Sequence, residues 1–455
     1  MPKLVEQTTI PYREGVSRDR IQIVLDAIGA EDPDRARRAR AVIDWVTAGE
    51  GIEMIDLASV QTFAWYTLPV KWSDSEEENE ATLAAAADLF ERLDMPRYAA
   101  VFRSSETTAI LAANSQSRSA GRRAFRSALK ASGVDPPDLD DFAWGGVMGI
   151  EEATARQQAE RALEEAMTAG EFEPGKAGWK AVAREVTTRV LDSPHPDLPG
   201  NSRRTAILTE RLGTWVSSAQ GHSPDLHSLR SQFVKQLFEP VPVPEDAAER
   251  IAPVTWLLAH ALEGVRLTQA GYLPTALVRE TCEHFGWDRG WDDRTPRNES
   301  ESVQLRELHG LVRRLGAVRR RGADLRTTQV GKGMLGDTEV AWRRLAAGLS
   351  GGPWPTAVAE AYTLLLLDGV VIDEEIEARA TLQMAGMGWR TDGHPPETGF
   401  VSSTWFETWR PLAALGGVSR AGDWRLREIV LTPFGRATLL EQVRIHATGP
   451  RSTPW

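Results

Sequence analysis

The chain has 455 residues, 42% hydrophobic and 26% charged, the balance of a folded globular protein and about three domains by the usual ~150 residues each. Its one cysteine, Cys282, excludes an internal disulfide and a cysteine-built zinc site. A net charge of −11 argues against a nucleic-acid binder basic over its whole surface. No apolar run nears the ~20 residues of a membrane span, and residues 1–15 lack a signal peptide's apolar stretch, so a reducing cytoplasm and no membrane partner are expected.

The charge is unevenly placed. Arginines outnumber lysines 46 to 7, the bias of a GC-rich bacterial genome. Residues 73–94 hold eight acids and one base, residues 114–133 five bases and no acid, and residues 303–344 ten bases against four acids. An acidic protein can still carry a basic face.

In chain order, apolar spacing predicts helices over 35–48, 151–167, 179–191 and 205–216, the last two separated by the breaker stretch SPHPDLPG at 193–200. FEPVPVPE at 238–245 reads as a linker or domain edge, and GGPWP at 351–355 is a second break. The candidate units are 1–135 (helical, with a degenerate copy of the motif described next), 136–238 (helical), 245–350 and 351–455.

The last two units share a signature. LVRRLGAVRRRGADLRTTQVGKGML (311–335) and LAALGGVSRAGDWRLREIVLTPFGRATLL (412–440) each end a helix in Leu-Gly. A short strand, a turn at Gly322 or Gly422 and a returning strand follow, then a glycine (Gly333 or Gly435) opening another helix. Leu305, Leu308, Val312 and Leu315 form one apolar helix face, and Gly316 permits a left-handed stop. A fainter copy without the glycines runs from Leu89, with strands expected at 98–103 and 107–111 about a turn at Ser104-Ser105. Helices are expected at 256–262 and 274–285 and a strand at 265–267, giving the order helix, strand, helix, helix, hairpin.

On that order, on the run L-G-x-V (315–318 and 415–418), on L-T-x-x-G-x-x-x-L (431–439) and on GVRLTQAGYLP (264–274), the chain resembles the winged-helix family. More narrowly, it resembles uncharacterised multi-winged-helix proteins of high-GC bacteria, over less than half its length. The fold expected is mainly α with small β-hairpins (α+β), as tandem winged-helix-like units joined by helical segments. The resemblance implies DNA contact through the helix before the hairpin, by Arg306, His309, Arg313 and Arg314, and through the wing, by Arg319, Arg320, Arg321 and Arg326. Arginine suits this work because its planar fork pairs bidentately with guanine or phosphate. The plainer reading is a solvated edge that resists strand addition. In the fourth unit, the helix through Trp405, Phe406 and Trp409 has Arg410 as its only base, and Pro411 is expected to break it. The N-terminal copy carries Asp88 and Glu91, which phosphates repel.

The expected function is therefore a DNA-binding or regulatory protein acting through 245–350, with double-stranded DNA as partner. The alternative is a non-enzymatic scaffold whose winged-helix units bind protein or self-associate. Other constellations favour structure over chemistry. Gly331-Lys332-Gly333-Met334-Leu335-Gly336 satisfies G-x-G-x-x-G, but its duplicate keeps one glycine and no acidic second strand follows, so no cofactor is expected. Asp373, Glu374, Glu375 and Glu377 open a helix where acids favour the positive end. Cys282 and His284 do not share a helix face, and His222 and His227 lack a third ligand, so no metal is expected. Trp287 with Trp291, and Trp405 with Trp409, read as packing, with a partner surface as the alternative. No motif of a known catalytic class is present.

Overall fold

The computed structural model describes residues 18–47, 52, 55–72, 75–287, 296–421 and 428–451. Most of these residues are helical, with small antiparallel strand pairs. The chain divides into two compact units, Met1–Ala206 and Ile207–Trp455.

The first unit is built of helices: α1 (Arg18–Glu31), α2 (Pro33–Thr47), α3 (Leu57–Thr62), α4 (Glu76–Arg92), α5 (Pro96–Phe102), α6 (Ser105–Gln116), α7 (Arg118–Ser132), α8 (Ile150–Thr168) and α9 (Trp179–Asp192). After α3 the chain continues as a wider π-type helix, Phe63–Trp72. Asp56 caps α3 in a reciprocal box with Ser59. The core gathers Val42, Ile43, Val60, Phe63, Leu89, Phe90 and Phe102. Five bases of α7 (Arg118, Arg122, Arg123, Arg126 and Lys130) are exposed along it.

Here the structure corrects the third copy of the hairpin motif. The strands expected at 98–103 and 107–111 are helical instead, 98–102 lying in α5 and 107–111 in α6. Pro96 sits in the first turn of α5, where its missing N–H costs nothing. The Ser104 hydroxyl then accepts from the Thr107 amide and starts a new helix where a turn was expected.

The helix α10 (Arg203–Ser217) leads into the second unit, with α11 (Pro224–Phe238) after it. Two arrays of the same order follow. The first is α12 (Ala247–Glu263), β1 (Val265–Arg266), α13 (Thr275–His284), α14 (Val303–Arg314), β2 (Val318–Arg321), β3 (Asp324–Thr327) and α15 (Gln329–Gly336), continued by α16 (Thr338–Gly348). Its three strands lie in the order β1-β3-β2, all antiparallel. The second is α17 (Pro353–Leu367), α18 (Asp373–Gly386), α19 (Thr398–Ala414), β4 (Val418–Ala421), β5 (Glu428–Leu431) and α20 (Pro433–Thr448). The place of β1 is taken by Ile372, bridged antiparallel to Glu428, so the strand order repeats. The turn expected at Gly422 lies outside the described residues.

The arrays match at backbone level. At both helix ends the glycine is left-handed, Gly316 at φ 65° and Gly416 at φ 68°. At both, the next amide reaches back, Ala317 N to Val312 O at 3.0 Å and Gly417 N to Leu412 O at 2.9 Å, closing a Schellman motif. After the hairpin, Thr328 N donates to Ala317 O and Thr432 N to Gly417 O, and each threonine hydroxyl caps the following helix at Gly331 or Gly435. The partner of Gly435 is therefore Gly331, not the expected Gly333. A Cβ on Gly331 would sit 2.3 Å from Ala317 O, and one on Gly435 1.8 Å from Gly417 O. These glycines let the helix touch the strand, and the G-x-G-x-x-G run lies inside α15. One further expectation fails: α19 runs unbroken through Pro411, whose carbonyl accepts from Leu415 N. Pro411 is buried within the last turn and a half, where the helix needs only one amide fewer. The helices α14 and α19, equivalent in the two arrays, pack on each other.

Candidate nucleic-acid interface

The helix α14 begins where Ser302 accepts from Leu305 N, and it buries Leu305, Leu308, Leu311 and Val312. That face leaves Arg306, Arg313 and Arg314 exposed on the other side. Glycine at 322, φ 62°, fills the first place of the two-residue loop between β2 and β3, where a type II′ hairpin requires it.

The hairpin register sorts the remaining arginines. Val318 pairs with Thr327 and Arg320 with Leu325, while Arg319 pairs with Arg326 and Arg321 with Asp324. Successive side chains alternate between faces, so Arg320 shares the inner face with buried Val318 and Leu325. Arg319, Arg321 and Arg326 share the outer one. Arg266 on β1, opposite Asp324, joins that outer face and is exposed; sequence reasoning missed it, although the alternation of V-R (265–266) was the available signal. The eight expected contacts therefore do not form a single surface.

Three of them meet. Arg306 and Arg313 on α14 and Arg320 on the inner hairpin face line one cavity of about 340 Å³, with Gly310, His309, Leu325, Glu299 and the turn 267–272. Arg320 Nε donates to Gly322 O at 2.8 Å, which fixes the guanidinium. Arg306 lies 3.2 Å from Glu307. On the outer face Arg326 pairs loosely with Asp324 at 3.5 Å. Arg313, Arg314, Arg319 and Arg321 make no ion pair with any described residue.

His309 is a correction. Expected as a base contact, it is only 3% exposed, with Nδ1 at 2.7 Å from Glu299 Oε1. The other Glu299 oxygen accepts from Leu273 N at 2.7 Å, so one buried carboxylate ties α14 to the turn after β1. Glu299 went unread because it lies in a short 3-10 turn ten residues before its partner, a contact set by tertiary packing.

The other candidates resolve as packing. Trp405 and Trp409 are buried, the first stacked on Tyr362 at 4.8 Å. Cys282 is buried, and the His284 ring stacks on Trp256 at 4.0 Å. Trp291, Asp292 and Asp293 lie outside the described residues. Among the described residues no three metal-ligating side chains cluster, and no helix is long and apolar enough to cross a membrane. No protein-family model matches the chain, and no curated protein and no solved structure matches it.

Proposed function

We propose that the protein is a DNA-binding regulator that works through residues 245–350, with that segment and 351–455 as tandem winged-helix units. The observation that carries this reading is the set of exposed arginines on α14 and the hairpin, five of which (Arg313, Arg314, Arg319, Arg320 and Arg321) have no ion-pair partner among the described residues. A guanidinium left without a carboxylate in a chain of net charge −11 is available for phosphate. Arg313 and Arg314 serve as helix contacts and Arg319 and Arg321 as wing contacts; His309 is withdrawn from the contact set. The element order helix, strand, helix, helix, hairpin and the strand order β1-β3-β2 support the winged-helix assignment.

The test is a duplex titration followed by fluorescence anisotropy at two salt concentrations, with Arg319, Arg320 and Arg321 changed together to Ala. Each phosphate contact contributes about −0.9 to the slope of log affinity against log salt, so the triple variant flattens that slope by about two units. Wild-type protein that fails to bind at low salt, or a triple variant that keeps the wild-type slope, refutes the reading. The scaffold alternative, in which these units bind protein, then becomes the better reading.

A further inference from the structure

The cavity under the hairpin is built unlike the surface around it. Its charged lining is three guanidiniums, from Arg306, Arg313 and Arg320, and one carboxylate, Glu299, whose two oxygens are already engaged by His309 and Leu273 N. The lining also includes Tyr272 and the buried His309 ring, whose Nε2 has no hydrogen-bond partner. The floor is Gly310, in the middle of α14, between Arg306 and Arg313 on the same face. Glycine there destabilises the helix by about 1 kcal/mol relative to alanine. Packing does not demand it, since a Cβ at that position would meet only the Arg314 guanidinium, at 3.9 Å. What Gly310 preserves is the depth of the cavity between two arginines.

We propose that this cavity binds a small free phosphate-class anion, a phosphomonoester or inorganic phosphate. Three guanidinium forks, two from α14 and one from the hairpin, match the several oxygens of a tetrahedral dianion better than the two of a carboxylate. A volume of about 340 Å³ takes a phosphoryl group with a small organic part and is far too small for a duplex. The site shares Arg313 with the proposed helix contacts, while the wing contacts Arg319 and Arg321 lie on the opposite face of the hairpin from Arg320. Arg320 belongs to the hairpin itself, which makes the anion a means of setting the wing's position.

The experiment is calorimetric titration of the full chain with inorganic phosphate at constant ionic strength. Wild-type protein is expected to bind one phosphate saturably. Arg313→Ala and Arg320→Ala, both at exposed side chains, each weaken binding about tenfold or more, the loss of one charge-assisted hydrogen bond. Gly310→Leu fills the floor and abolishes binding, while its melting temperature stays at or above that of wild type. The absence of saturable binding, or wild-type affinity in either arginine variant or in Gly310→Leu, overturns the proposal. A short duplex titrated into the phosphate-saturated protein separates the two sources of the ligand. Retained phosphate supports a free ligand, and competitive displacement by the duplex overturns it in favour of a backbone phosphate.

Discussion

Glu360 on α17 is engaged by three side chains, and Arg230→Met isolates what holds it. The acid is 3% exposed. Arg230 meets Oε1 through Nε and Nη2 at 2.7 Å, Trp215 Nε1 donates to Oε2 at 3.1 Å, and His446 Nδ1 lies 2.6 Å from the same oxygen. Burial pushes the carboxyl pKa up, but Arg230 and His446 outweigh it and hold the acid at about 2, against an ordinary 4.5. A folded pKa below the unfolded one gives stability that is present in full above pH 4.5 and lost as pH falls toward 2. At about 1.4 kcal/mol per pH unit of displacement, the whole contribution is about 3 kcal/mol, an upper value for a buried pair. Arg230→Met leaves the charge buried with only Trp215 and His446, at a cost of about 3–5 kcal/mol at neutral pH. The double variant Arg230→Met/Glu360→Gln removes the orphaned charge and recovers part of that loss. Hydrogen exchange of the α11 and α17 amides at pH 7 and near pH 3 reads the effect where it occurs. Wild type loses about 2 kcal/mol of protection over that interval, whereas Arg230→Met loses much less, because its Glu360 no longer has a depressed pKa. Additive single and double variants, or an Arg230→Met cost under about 1 kcal/mol, refute the reasoning.

Two further predictions concern the contact repeated in both arrays. Gly435→Ala forces a methyl into the Gly417 carbonyl and lowers stability by about 3 kcal/mol in thermal or chemical melts, with Gly331→Ala somewhat milder because its clash is 2.3 Å and not 1.8 Å. A loss below about 0.5 kcal/mol at both sites would show that the strand yields freely. Thr328→Ala and Thr432→Ala each remove a helix cap and a hydrogen bond to the preceding hairpin, costing about 1 kcal/mol apiece; equal melting of either variant and wild type contradicts the capping role.

Much of this architecture was written locally. Leu-Gly ends, glycine turns and apolar faces at three- and four-residue spacing mark α14, β2 and β3, because each signal lies within a few residues of the element it shapes. The segment 98–111 misled because Tyr-Ala-Ala-Val-Phe fits a short strand as well as a helix turn, and only Pro96 and the Ser104 cap decide. At Pro411, the late position in the helix mattered more than the residue type. In the site, residue identity revealed the arginines, while their sorting into two faces needed the register of Arg319 against Arg326. The burial of His309 was hidden because a histidine amid arginines reads as one more base until Glu299 is seen beside it.

The packing of α14 on α19 sets the two arrays in a particular relation. Equivalent elements of two like arrays meeting each other is what an isologous two-fold interface does between identical subunits. In a homodimer every substitution falls on both sides of the axis, so a basic face on one subunit is a basic face on both. Within a single chain that constraint is lifted, and the two sides have parted. One presents Arg306, Arg313 and Arg314 around the glycine at 310, and the other fills the corresponding stretch with Trp405, Trp409 and Pro411 and keeps only Arg410 in its span. The two arrays are thus unlike halves of one pair, one carrying the arginines and the other the buried aromatic side chains, with their order fixed by the chain that joins them.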